Sequence, residues 1–224
     1  MIDIADLKAL RERHALAKAA LLAPLLEPSF KPRNVNRLLE LLSAHTDRTL
    51  SGLWKMADMP PDHALVAVGG YGRGKLFPGS DIDVLVLHPL QPSPEAMARV
   101  ETFITACWDL GLEIGSSVRS IDDCIAEASA DVTVQTALLE SRRICGHGLL
   151  VHTMHKSLAR VMDPRGFMRR KILEMEQRHQ KFQNSPYALE PNCKDSPGGL
   201  RDLQVLMWVA QGAGLGNSWK ALAQ

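Results

Sequence analysis

VGGYGRGKLFPGSDIDVLVL, residues 68–87, holds two phosphate signals that cannot both be right. Gly69, Gly74 and Lys75 fit the G-x-x-x-x-G-K spacing of a nucleoside-triphosphatase loop. That loop needs Ser or Thr after the lysine to hold magnesium, and Leu76 stands there. The spacing is therefore accidental, and the glycines need another reason. The flanks supply one. Ala64–Val68 is a short apolar run that stops at Gly69-Gly70, which reads as a buried strand entering a turn. Pro78-Gly79 marks a second turn, and Asp81–Leu87 reads as a second strand. Strand side chains alternate, so Asp81 and Asp83 share a face. Two close carboxylates resist joint ionisation unless a cation sits between them. Magnesium takes hard oxygen ligands of this kind together with substrate phosphates. The pattern points to metal-assisted phosphoryl or nucleotidyl transfer.

Outward from this stretch, residues 3–22 and 34–54 read as helices separated by Pro24, Pro28 and Pro32. Ser93-Pro94 caps a further helix, with Met97, Val100, Ile104, Cys107 and Trp108 as its apolar face. Leu112–Arg119 reads as a third strand. Leu112, Ile114 and Val118 lie on one face; Glu113, Gly115, Ser117 and Arg119 lie on the other. Beyond residue 125 the pattern is helical almost throughout, over about 131–143, 147–160 and 164–183, and again from Leu200 after the loop at 185–199. The expected class is α+β. A small mixed sheet in residues 61–145 is flanked by helical segments at 1–60 and 146–224.

The chain has 224 residues, 46% of them hydrophobic, and a formal net charge of +1. That balance favours neither nucleic acid nor an anionic membrane as partner. MIDIADLKAL is too polar for a secretory signal, and no apolar run reaches membrane-spanning length. A cytoplasmic location is expected. Cys107, Cys124, Cys145 and Cys193 form no C-x-x-C pair, which fits free thiols.

GGYGRGKLFPGSDIDVLVL, GLEIGSSVRS, ADVTVQTALLESR and EPNCKDSPGGLRDLQVLMWVA follow one another in this order. The first resembles the nucleotidyltransferase signature of the DNA polymerase beta superfamily. Together they closely resemble the amino-terminal part of the bacterial PII uridylyltransferase/uridylyl-removing family. The resemblance implies transfer of UMP from UTP to a tyrosine of the PII protein, with magnesium, or manganese in its place. It also implies HD hydrolase and ACT domains. No His-Asp dipeptide occurs in this sequence, so the HD signature is missing, and neither the HD nor the ACT domains are expected in it. Lys75 departs from the family, which carries an acid there. Asp195-Ser196 departs too, where an acid followed by glycine is commoner.

Carried over residue by residue, Asp81 and Asp83 would bind the metal. Gly69 and Gly70 would cradle the β- and γ-phosphates, with Ser80 in support. Glu113 is the candidate third carboxylate, as metal ligand or base. Arg73 and Arg119 are candidate nucleotide contacts, with a solvated loop or an ion pair as their ordinary alternatives. Tyr71 is expected to pack, Glu140 to pair within its helix or between domains, and Arg201 and Asp202 to lock the turn at Gly198-Gly199. Base choice is written in no single residue, so an adenylyl-transferring enzyme and a nucleotide-binding fragment without turnover stay open.

Overall fold

The computed structural model describes residues 2–187 and 189–223. By internal packing the chain forms two units: Met1–Cys124 with Glu140–His155, and Ile125–Leu139 with Lys156–Gln224.

The first unit is built on a sheet. It begins with helices α1 (Ile4–Leu22) and α2 (Val35–Met56), followed by strand β1 (Ala64–Ala67). A single helical turn, α3 (Gly69–Gly72), leads to β2 (Ile82–Leu87). Helix α4 (Pro94–Asp109) and strand β3 (Ile114–Arg119) come next. The strand order is β3-β2-β1 and then a fourth strand, β4 (Arg142–Gly146). β1 lies antiparallel to both β2 and β4, whereas β2 and β3 are parallel. This is the expected α+β class with a mixed sheet.

β4 corrects the reading of a helix over 131–143. The helix there ends at Leu139, and the chain returns to the sheet three residues later. Helix α4 starts where Ser93 was read as its cap, and the Ser93 hydroxyl accepts the Ala96 N–H.

One face of the sheet packs on the helices of this unit. Leu65, Ala67, Ile82, Val84 and Val86 share a core with Leu38, Leu42, Leu50, Leu53 and Trp54 of α2 and with Val100, Phe103 and Cys107 of α4. Leu50, Leu53 and Phe103 are fully buried there, each contributing on the order of 2 kcal/mol by burial. Trp54 meets Phe103 edge-on at 5.3 Å between ring centroids. Alternation then sends Asp81 and Asp83 to the face opposite this core. Trp108 departs from its expected place in the apolar stripe of α4. It is 58% exposed, next to the buried Cys107.

α1 is pinned to α2 by a buried histidine pair. The His14 and His45 rings stack with centroids 4.8 Å apart, His45 Nε2 and His14 Nδ1 are 3.1 Å apart, and His14 Nδ1 also meets the Thr49 hydroxyl at 3.1 Å. Burial, then the charges of His45 and Lys18, push His14 down to about 4. Burial also lowers His45, with Arg48 and Lys18 adding to the effect. The unfolded chain therefore takes up protons that the folded pair refuses. Stability falls as pH drops from about 6.5 toward 4. The loss expected from His14 by pH 4 is on the order of 3 kcal/mol, at about 1.4 kcal/mol per tenfold of proton affinity. Melting temperature measured from pH 7 to pH 4.5 should fall less steeply in His14→Gln than in the parent. Parallel slopes would remove the pair from the account of acid sensitivity.

The second unit contains α5 (Val132–Leu139), α6 (Pro164–Gln180) and α7 (Leu200–Gly212), packed around Phe167, Val205 and Trp208. Asp163 caps α6, accepting the Arg165 N–H. Asp202 locks the Gly198-Gly199 turn. It accepts the Gly198 N–H at 2.7 Å and also pairs with Arg178 and His179. Lys171 is buried here against the Trp208 ring, its ammonium 4.4 Å from the centroid and paired with Glu174. Among the described residues no helix is long and apolar enough to cross a membrane.

Candidate active site

The site lies at the end of the sheet where β1 finishes and β2 and β3 begin. Val68 donates its N–H to the Asp83 carbonyl, so the glycine turn leaves β1 directly beside the second aspartate. On the other flank Asp83 lies opposite Gly115 in the parallel register, and Ile82 donates its N–H to the Glu113 carbonyl. β2 thus carries the aspartates between a glycine turn and the start of β3.

Asp83 needs the absence of a side chain at Gly115, where a Cβ would stand 2.5 Å from Oδ1. A Cβ on Gly69 would make only ordinary contact, 3.5 Å from Oδ2. Gly69 is constrained by its left-handed φ of 54°. Burial first, and the Asp81 charge second, raise the Asp83 carboxyl above its ordinary value. Two acid oxygens on one face, one half-buried and repelled by the other, with no sulfur or imidazole between them, form a donor set for a hard divalent cation. The residues present fit magnesium. Among the described residues there is no cluster of three or more His, Cys, Asp or Glu side chains able to hold a metal. Glu113 therefore does not complete a triad with the aspartates. It is exposed and, with Asp81, lines an open cleft of about 520 Å³ shared with Trp108, Gly111, Leu112, Ile114 and Gly115.

The turn itself is clamped. Gly69 and Gly70 open α3, and the first N–H groups of a helical turn have no internal acceptor. Tyr71 packs as expected: it is buried, and its hydroxyl donates to Asp47 of α2. Burial and the Asp47 charge raise the Tyr71 hydroxyl far above its ordinary value. Arg142 of β4 grips the same Asp47 through two nitrogens, at 2.8 and 3.1 Å, and lies over the Tyr71 ring. Arg73 donates to both carboxylate oxygens of Glu140, at 2.9 and 2.8 Å. Glu140 therefore pairs with the glycine segment, 67 residues away in sequence, and not within its own helix. Arg73 stays beside the turn, with Nη2 3.3 Å from where a Gly70 Cβ would be. Lys75 points away to the Asn36 side chain of α2 at 3.1 Å.

Ser80 lies in the turn before Asp81 and is exposed, its N–H bonded to the Phe77 carbonyl. Arg119 is not gathered with these groups. It pairs in register with Leu87, four residues along β3 from Gly115, or about 13 Å at strand rise. Its charge helps hold the Asp123 carboxyl below the ordinary range, behind the stronger hydrogen bonds from Ser120. Gly115, Glu140, Arg142 and Asp47 were not among the sequence candidates. A glycine inside a strand is a recognised sign of close approach, so Gly115 carried a usable signal. The ion pairs, which join distant segments, carried none.

The nucleotidyltransferase domain family matches residues 52–123, and the GlnD PII-uridylyltransferase family matches residues 166–224. The chain is 55% identical over 189 residues to the bifunctional uridylyltransferase/uridylyl-removing enzyme of Cupriavidus pinatubonensis, an alignment covering 84% of this chain and 22% of that protein. The enzyme of the same description from Burkholderia mallei is 55% identical over 207 residues, covering 92% of this chain and 24% of its own length. The chain thus spans about a quarter of the length of these relatives. Among solved structures, the toxin–antitoxin crystal structure with AMP-PNP aligns over 57% of this chain and 98% of its own, at 17% identity and a TM-score of 0.34.

Proposed function

We propose that this chain is the nucleotidyltransferase part of an enzyme that moves UMP from UTP to a tyrosine hydroxyl of a PII nitrogen-regulatory protein and releases pyrophosphate. One observation carries the reading. The Asp83 carboxylate is seated between Gly69 and Gly115 on the face it shares with Asp81, in a chain 55% identical to uridylyltransferases.

Gly69 and Gly70 bring backbone N–H groups to the β- and γ-phosphates without Cβ interference, and Ser80 adds a hydroxyl from the turn before Asp81. Glu140 holds Arg73 against the turn, where its charge faces the same phosphates. Asp81 and Asp83 would hold magnesium, or manganese in its place, together with phosphate oxygens; bound there it supplies neutralisation of the charge on the transferring and leaving groups. Glu113, exposed beside Asp81, accepts the hydroxyl proton of the acceptor. The contribution of the protein is chiefly position and charge. The cytoplasm, where UTP and PII proteins meet, is the proposed location.

The test is to incubate the chain with α-labelled UTP, magnesium or manganese, and a PII protein, and to map the label. Label on a PII tyrosine, with UTP preferred over ATP, is expected. Equal or better transfer from ATP would replace the nucleotide in this reading, and no transfer with either metal would remove the activity.

A further inference from the structure

The cleft beside Asp81 has a place in the reaction that the metal and phosphate contacts leave unassigned. The sheet order puts β1 on one side of the aspartates and β3 on the other. The glycine turn leaves β1, and the cleft forms around the approach to β3. Adjacent strands are about 4.8 Å apart, so turn and cleft flank the aspartates from opposite sides at a separation of about 10 Å. Phosphoryl transfer proceeds with attacking and leaving oxygens roughly in line. With the β- and γ-phosphates on the glycine turn, the leaving oxygen points toward β1. The attacking oxygen must then arrive from the β3 side. The nucleoside hangs from the α-phosphorus through its 5′ oxygen, off that line, so it does not need the cleft.

The cleft also has the lining an aromatic acceptor needs. Trp108 presents an indole that is 58% exposed, an unusual degree for a tryptophan beside a packed core. Partly exposed Ile114 adds apolar surface beside the nearly buried Leu112, Gly111 and Gly115 leave room, and Asp81 and Glu113 bring the acidic edge of the site to its rim. Apolar walls with a few convergent polar groups are what a small side chain with one reactive hydroxyl requires.

We propose that this cleft is the acceptor site, and that Trp108 is the platform on which the acceptor tyrosine ring packs. The inference rests on the proposed transferase reading. The phenol oxygen forms a bond to the α-phosphorus. The bond from that phosphorus to the α,β-bridging oxygen breaks, and pyrophosphate leaves with the electron pair. The phenol proton passes to the Glu113 carboxylate at the rim and then to solvent. An offset or edge-on ring on Trp108 holds the hydroxyl over Asp81 during the attack.

Steady-state transfer to a PII protein tests this with the parent chain, Trp108→Ala and Trp108→Phe, varying PII at saturating UTP and UTP at saturating PII. Trp108→Ala should raise KM for the PII protein about tenfold or more and leave KM for UTP within about twofold, and Trp108→Phe should recover most of the loss. A rise confined to KM for UTP would give the cleft to the nucleobase and overturn the proposal. So would unchanged constants. Loss of transfer by the parent chain itself would remove the transferase reading along with this one, an outcome distinct from either variant result.

Discussion

Asp83→Asn is expected to reduce transfer by at least about 10³-fold while leaving the fold as stable as the parent or slightly more so. The two halves of this result come from one observation. Burial and the neighbouring Asp81 raise the Asp83 carboxyl above its ordinary value. An acid whose folded pKa is raised binds its proton more tightly in the folded state. Its contribution to stability therefore falls as pH rises from about 3.8 through the raised value, and at neutral pH the charge is a cost. Asparagine keeps the shape and removes that cost, along with the charge that a cation needs. Asp81→Asn should lose activity in the same way. Gly115→Ala should resemble these variants without touching a carboxylate, because its Cβ would displace Asp83 Oδ1 from 2.5 Å; a loss of about 10²-fold in kcat with little change in melting temperature is expected. Turnover assays paired with thermal melts decide the matter. Retained transfer in the Asp81→Asn/Asp83→Asn double variant would sink the site assignment, and collapse of the fold would sink the account of Asp83.

Gly72→Ala should act on stability instead. Its Cβ would stand 2.1 Å from the Glu140 carbonyl oxygen and 3.1 Å from that of Ala67. Both are backbone atoms, one on the connection into β4 and the other at the end of β1, so neither can swing aside. A cost of about 3 kcal/mol is expected, or roughly 6–12 °C in melting temperature for a chain of this size. Gly79 is the fitting control. Its φ of 74° is left-handed, but nothing lies within 4 Å of an added Cβ. Gly79→Ala should cost only about 1 kcal/mol. If Gly72→Ala melts no lower than Gly79→Ala, the close packing of the turn against Glu140 is not the constraint described.

Much of this architecture was legible in the sequence because the signals were local. The apolar run at Ala64–Val68, the alternation through Asp81–Leu87 and the Ser93-Pro94 cap each lie within a few residues of what they specify, and each appears where expected. The shared face of Asp81 and Asp83 follows from strand geometry alone. β4 escaped because RRICG is five residues long, has only Ile144 and Cys145 as large apolar groups, and follows a helix whose pattern runs smoothly into it. Its strand character comes from pairing with β1, a partner nearly 80 residues earlier. The Arg73–Glu140 and Arg142–Asp47 pairs have the same origin. Arginine and carboxylate are common everywhere, and only the fold selects which ones meet. Trp108 was assigned inward by helical period, yet it is 58% exposed while Cys107, its neighbour in the same last turn, is fully buried.

The return of the chain to the sheet at β4 has a consequence for taking the protein apart. The two units are interleaved in sequence, since the segment Ile125–Leu139 of one is inserted between Cys124 and Glu140 of the other. No single cut separates the two units: one after His155 keeps the whole sheet-bearing unit but carries Ile125–Leu139 with it. A product ending at Cys124 would keep both aspartates and all the glycines of the turn. It would forfeit Glu140 and Arg142 from the clamp, and it would leave β1, an interior strand in the whole chain, as a bare apolar edge open to pairing with other molecules. The glycine–aspartate motif and the shortest piece that keeps its clamp are therefore different lengths of polypeptide.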